Sequence, residues 1–226
     1  MFAVIFEVHP KPEQWDGYLA QARMLRPELE RIDGFVDNVR YASLTRAGWI
    51  LSLSGWRDEK AVVRWRTHAG HHEAQGLGRS EILLDYHLRV GQITQDTRLP
   101  AGHALREQRL DETEVGDGTT ATLIDASRPP GRASEASAEQ AARWLGLVPE
   151  ATGLLRWDVF EAVLTPGDLM LLISWRDARS AEAFERQRGD ADDAGRRLRR
   201  VRVVRDYGMF DRREAPQCFP PASAGG

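Results

Sequence analysis

The stretch WRDEKAVVRWRTHAGHH, Trp56 to His72, has a counterpart in SWRDARSAEAFERQRGD, Ser174 to Asp190. Trp56-Arg57-Asp58 matches Trp175-Arg176-Asp177, and Trp65 falls opposite Phe184, an aromatic at the same distance from the shared motif. Upstream, DGFVDNVRY from Asp33 matches TGLLRWDVF from Thr152, and the spacing from Gly34 to Trp56 equals that from Gly153 to Trp175. The opening FAVIFEVHP corresponds to TATLIDASRP, and YHLRVGQITQD to RRVRVVRDYG. A repeat one domain long marks a tandem duplication and not a solenoid, whose units run to tens of residues. The units expected are residues 1–99 and 118–211. Residues 100–117 form a polar linker and 212–226 an arm rich in Pro and small residues.

Each unit reads β-α-β-β-α-β. Ala3 to Val8 is a strand. From Gln14 to Ile32, apolar residues recur at helical spacing with Pro27 inside, and Gly34 ends the helix. Phe35 to Leu44 and Trp49 to Trp56 are strands joined by a TRAG turn, and Tyr86 to Thr94 is the last. Asp58 caps a helix whose inner face holds Ala61, Val62, Trp65 and Ala69; Asp177 takes the same place in the second copy. Four strands with two helices on one face make an α+β, ferredoxin-like unit. Val, Ile and Leu occur at both parities in several strands, so both sheet faces are covered. The cover expected for the second face is the other unit's sheet, as an intrachain barrel.

With 226 residues, 42% hydrophobic and 29% charged, the chain has the balance of an ordinary globular protein. A net charge of −3 gives no basic stripe, so nucleic acid is not an expected partner. No apolar run reaches the roughly 20 residues that span a bilayer, and no signal peptide is evident, so a cytoplasmic location is expected. Cys218 is the only cysteine, which excludes an intrachain disulfide and a thiolate metal cluster.

The segments AVIFEVHPKPEQWDGYLAQARMLRPELERIDGF, SLSGWRDEKAVVRWRTHAGHHEAQGLGR and LRVGQI resemble the antibiotic biosynthesis monooxygenase (ABM) family of dimeric α+β barrels. The likeness covers nearly all of the N-terminal half. In the C-terminal half it rests on LLISWRDARSAEAFERQ and the closing strand. The resemblance implies a barrel built within one chain, as a monomeric pseudo-dimer or a homodimer, with a pocket between each sheet and its helices. It implies either oxidation of a flat, apolar, phenolic or quinol-like molecule by O2 without a cofactor, or the binding and degradation of haem.

The candidate catalytic residues are His68, His71 and His72. A neutral imidazole suits a general base near pH 7 or, as His71 or His72, a haem ligand. On an ideal helix His68 and His72 project to the side of Trp65 and His71 points away. A break at Gly70 changes that phase, and alignment with the family favours His71, so the choice stays open. Trp65, Val62, Trp56 and Phe6 are the candidate substrate-binding residues, with the two tryptophans also serving as core anchors. Haem degraders of the family pair a strand asparagine with the Trp and His. The first strand here offers Glu7, and Asn38 lies on another strand, which counts against haem degradation. The spacing of His68 and His72 suits a metal, but no carboxylate completes a site, so none is expected. The second copy has no histidine at this place. Its Asp190, Asp192 and Asp193 are expected to face water, and the space near Phe184 to be filled or open.

Overall fold

Strand β1, Phe2–Pro10, is apolar on both faces because it separates two cores. Ala3 and Ile5 point into one of them; Phe2, Val4 and Val8 point into the other, as the two-residue period of a strand requires. In the computed structural model, which describes residues 1–128, 137–188 and 195–216, this division extends round a closed barrel of eight antiparallel strands. The N-terminal half contributes β1, α1 (Trp15–Glu30), β2 (Phe35–Ser43), β3 (Ile50–Trp56), α2 (Glu59–Arg66), α3 (Ala69–Leu77) and β4 (Leu83–Asp96). The C-terminal half contributes β5 (Thr120–Ser127), α4 (Ala138–Trp144), β6 (Leu154–Ala162), β7 (Asp168–Trp175), α5 (Ala178–Arg188) and β8 (Arg197–Gly208).

Around the barrel the order is β1-β3-β2-β6-β7-β5-β8-β4. Each half keeps the ferredoxin-like order, with its first and third strands in the middle. The halves are hydrogen-bonded at two seams as well as packed together. One seam is long, with β4 and β8 paired from His87↔Gly208 to Asp96↔Arg199. The other is short, joining Tyr41, Ala42 and Ser43 of β2 to β6. Closure leaves no open sheet edge. The barrel interior is shared, with Ile5, Leu51 and Leu53 meeting Leu123, Phe160, Met170 and Val201.

One end of that interior is charged. Glu7 is buried between Arg89, which bonds its carboxylate, and Arg46, whose Nη2 lies 2.5 Å from Oε1. Arg46 also holds Asp158 and Arg89 donates to Ser174, so this network ties the halves together. Burial alone would raise the Glu7 carboxyl; Arg89, then His87 and Arg46, outweigh it and hold the group well below the usual carboxylate range.

The matched spacing has a local cause. Gly34 and Gly153 both adopt left-handed backbone, at φ 91° and 81°. Each accepts a hydrogen bond from the backbone N–H after the shared tryptophan: Arg57 at 2.8 Å and Arg176 at 2.9 Å. Asp58 accepts from Ala61 N–H and Asp177 from Ser180 N–H, both at 2.8 Å, capping α2 and α5.

Candidate functional site

The helix capped by Asp58 does not run through the histidines. It ends at Arg66, Thr67 caps it, and His68 takes an extended conformation (ψ 131°) as the N-cap of α3. The break therefore precedes Gly70, and ideal-helix phasing fails beyond it. Ala69, expected on the inner face, is exposed. His71, which a continuous helix would turn away, lies flat on Trp65 with ring centroids 4.3 Å apart and planes 14° apart. His68 stacks on Trp65 more loosely, at 5.6 Å and 26°, with Nδ1 3.5 Å from Glu28. His72 is exposed.

Between the outer face of the N-terminal sheet and its helices lies a cavity of about 230 Å³. Trp65, Val62, Trp56, Phe6 and His71 line it; His68 and His72 do not. Phe6 meets Tyr86 edge to face at 5.7 Å. Trp56 is a core residue as well, its indole N–H donating to Ser54 Oγ at 2.9 Å and its ring set edge-on to Phe35. Asn38, set aside in the sequence because it is not on the first strand, lines the same cavity. Arg40, two residues further along β2, lines it too, and the Asn38 amide donates to Ser52 Oγ at 3.1 Å. Arg40 in turn donates to Asn38 Oδ1 at 3.0 Å.

His71 is tuned by its surroundings. Nδ1 lies 2.9 Å from the Trp65 carbonyl oxygen, which can only accept, so the proton is assigned to Nδ1 and the lone pair to Nε2. The Gln75 amide, 3.1 Å from the same nitrogen, also reaches the Arg66 carbonyl. Burial pushes the imidazole down to about 4, against the opposing bond to Trp65, with His68 and His72 adding to the decrease. Such an imidazole is neutral at pH 7 and a weak base. Taking a proton from a phenol of ordinary acidity would cost it about 8 kcal/mol. His71 is therefore suited to accept a hydrogen bond, and the charge that would stabilise an anion must come from elsewhere.

That charge is present in side chains with no motif in the sequence. Arg40, Arg66, Arg79, Arg205 and Arg212 all reach the cavity wall. Arg79 donates to the Tyr86 hydroxyl at 2.6 Å, and Arg212 donates to the same oxygen. Arg205 and Tyr207 belong to β8, and Arg212 and Pro216 to the segment after it, so the C-terminal half completes the N-terminal half's cavity. Burial pushes the Tyr207 hydroxyl up to about 12, with Tyr86 adding to it and Arg66, Arg212 and Arg205 opposing it, so it stays a donor.

Among the described residues, the matching place in the C-terminal half is taken up by packed side chains. Phe184, 1% exposed, packs on Trp175 with centroids 5.0 Å apart, among Ala141, Ala142, Leu145 and Leu147. Asp190, Asp192, Asp193 and Cys218 lie outside the described residues.

A sequence profile described as antibiotic biosynthesis monooxygenase matches residues 1–77. Over 99% of this chain, and 100% of the other, the sequence is 51% identical to "Jasmonate monooxygenase ABM" from Pyricularia oryzae. The chain belongs to the ABM family. Among solved structures, an aldoxime dehydratase in complex with butyraldoxime shares the fold at a TM-score of 0.52. That likeness has 11% identity over 90% of this chain and 79% of the other. No helix among the described residues is long and apolar enough to cross a membrane. No cluster of three or more His, Cys, Asp or Glu among them could hold a metal ion.

Proposed function

We propose that this protein is a monooxygenase that oxidises a small apolar molecule, with jasmonic acid the leading candidate, in the cavity of its N-terminal half. The near full-length likeness to a jasmonate monooxygenase carries the reading. The cavity supports it: an enclosed space with apolar and aromatic walls and placed polar groups is the usual form of a small-molecule site. Trp65, Val62, Trp56 and Phe6 shape and desolvate the substrate. His71 touches it through Nε2, His68 supports the Trp65 ring from outside the cavity lining, and His72 takes no part. No resident cofactor is invoked. Insertion of oxygen into a C–H bond follows RH + O2 + 2e⁻ + 2H⁺ → ROH + H2O, so a substrate such as jasmonic acid requires an external two-electron donor. A quinol-like substrate would supply those electrons itself and would lie flat against the Trp65–His71 stack.

The test is turnover of jasmonic acid by purified protein under oxygen-18 gas, with and without ascorbate, read by mass spectrometry. One labelled atom in the product, lost in Trp65→Ala, is the expected result. Absence of label from jasmonic acid under both conditions, with label entering a hydroquinone instead, would move the substrate to the quinol class.

A further inference from the structure

The cavity is apolar along Val4, Phe6, Val62 and Leu88, yet five arginines reach its wall. The one carboxylate among its lining residues, Glu59, is already paired with Arg109 at 2.7 Å. Most of these cations have protein partners: Arg79 and Arg212 donate to Tyr86, and Arg40 to Asn38. Arg66 and Arg205 differ. Neither forms an ion pair among the described residues, and Arg66 Nε is buried without a hydrogen-bond partner. Arg205 and Tyr207 stand two residues apart on β8, so they share one face of the strand, and both line the cavity together with Arg66.

We propose that Arg66, Arg205 and the Tyr207 hydroxyl form a carboxylate-binding subsite on the cavity wall, so that the protein selects apolar free acids over their neutral esters. A carboxylate offers acceptors for the unpartnered Arg66 Nε, for the Arg205 guanidinium and for a phenol O–H. The apolar walls strengthen each of these bonds, because a lower dielectric screens charge less. An uncharged ligand of the same shape would fill the chamber but leave the buried donor unsatisfied. The identity of the acid rests on the proposed function; its charge does not. The expected pose puts the acid group at Arg66 and Arg205, with the carbon skeleton running toward Trp65 and His71.

The experiment is calorimetric titration of the full chain with two matched pairs: jasmonic acid and its methyl ester, and 4-phenylbutyric acid and its methyl ester. At low salt the acids should bind about ten- to a hundredfold more tightly than the esters, as expected for hydrogen bonds to charged groups. Arg66→Met and Arg205→Met should each lower acid affinity toward that of the ester and leave the ester where it was. If a Met variant fails to fold, Arg66→Lys and Arg205→Lys are read in its place and should keep part of the preference. Equal affinity for acid and ester in the natural protein overturns the proposal. So does an equal loss for both ligands in the variants, or the failure of every acid to bind. A preference shown by the phenylbutyrate pair while jasmonic acid does not bind upholds the subsite and removes jasmonate as the substrate.

Discussion

In the C-terminal half Phe184 is sealed against Trp175, while Trp65, at the same distance from the shared motif, stands half-buried on a cavity wall. Both halves have the same strand order, left-handed glycine and capping aspartate. They differ in how their helices approach the sheet. Helix α4 is seven residues long and presents Ala141 and Ala142, both buried, so it packs down closely. Helix α1 is sixteen residues long and brings Tyr18, Leu25 and Leu29 to the cavity wall, and α3 adds a further layer. One topology thus yields a scaffold or a binding chamber according to side-chain size on the covering helices.

The largest expected effect tests this division directly. Phe184→Ala should cost about 3–5 kcal/mol in chemical denaturation and leave turnover per folded molecule intact. Trp65→Ala should cost about half as much, since its ring already faces open space, and abolish ligand binding. Equal stability losses would erase the distinction between the halves. A smaller effect comes from overfilling. Ala142→Leu has no room and should destabilise by about 1–3 kcal/mol, whereas Val62→Phe should grow into the cavity at about 1 kcal/mol or less and block the ligand.

The pH dependence sharpens the comparison further, since no histidine occupies the matching site of the C-terminal half. His71 has a folded-state value of about 4 against an ordinary 6.5, so the folded state resists its protonation. Its contribution to stability is complete above pH 6.5 and is lost as the pH falls toward 4. His71→Gln should flatten the stability profile across that window in denaturation curves taken at successive pH values. The smallest effect should be the same in both halves: Asp58→Ala and Asp177→Ala should each cost about 1 kcal/mol in thermal or chemical unfolding, because the two caps do the same work. A marked inequality would show that one cap also supports the site.

The features readable in the sequence are those written in neighbouring residues. The glycine, the tryptophan and the capping aspartate act through local contacts, so their repeated spacing disclosed two units with the same succession of elements. Apolar residues at both parities of β1 and β3 disclosed a sheet covered on both faces. Trp65, Val62, Trp56 and Phe6 could be placed at the cavity because strand and helix periods project them there. The helix break at Thr67 and His68 was not legible: the Thr67 hydroxyl bonds back to the Val63 carbonyl, a contact made as readily inside a helix as at its end. The arginines were hidden for a different reason. Arg205 is far in the chain from Arg66 and Arg79 and reaches the same cavity because β8 crosses to pair with β4. A chain with 31 basic residues offers no reason to select these few. Glu7 likewise reads as one polar residue in an apolar strand until Arg89 and Arg46 are seen around it.

The long seam between β4 and β8 has a consequence for how the molecule comes into being on the ribosome. Val4 and Phe6, on the first strand, emerge well before the residues that finish their chamber, Arg205, Tyr207 and Arg212. A nascent chain stalled before β8 would expose the unpaired flanks of β4 and β5 and would hold half of a binding site. The cavity wall and the barrel are thus completed by the same late stretch of polypeptide. A chain that has not yet made β8 therefore lacks both the closed barrel and an enclosed cavity.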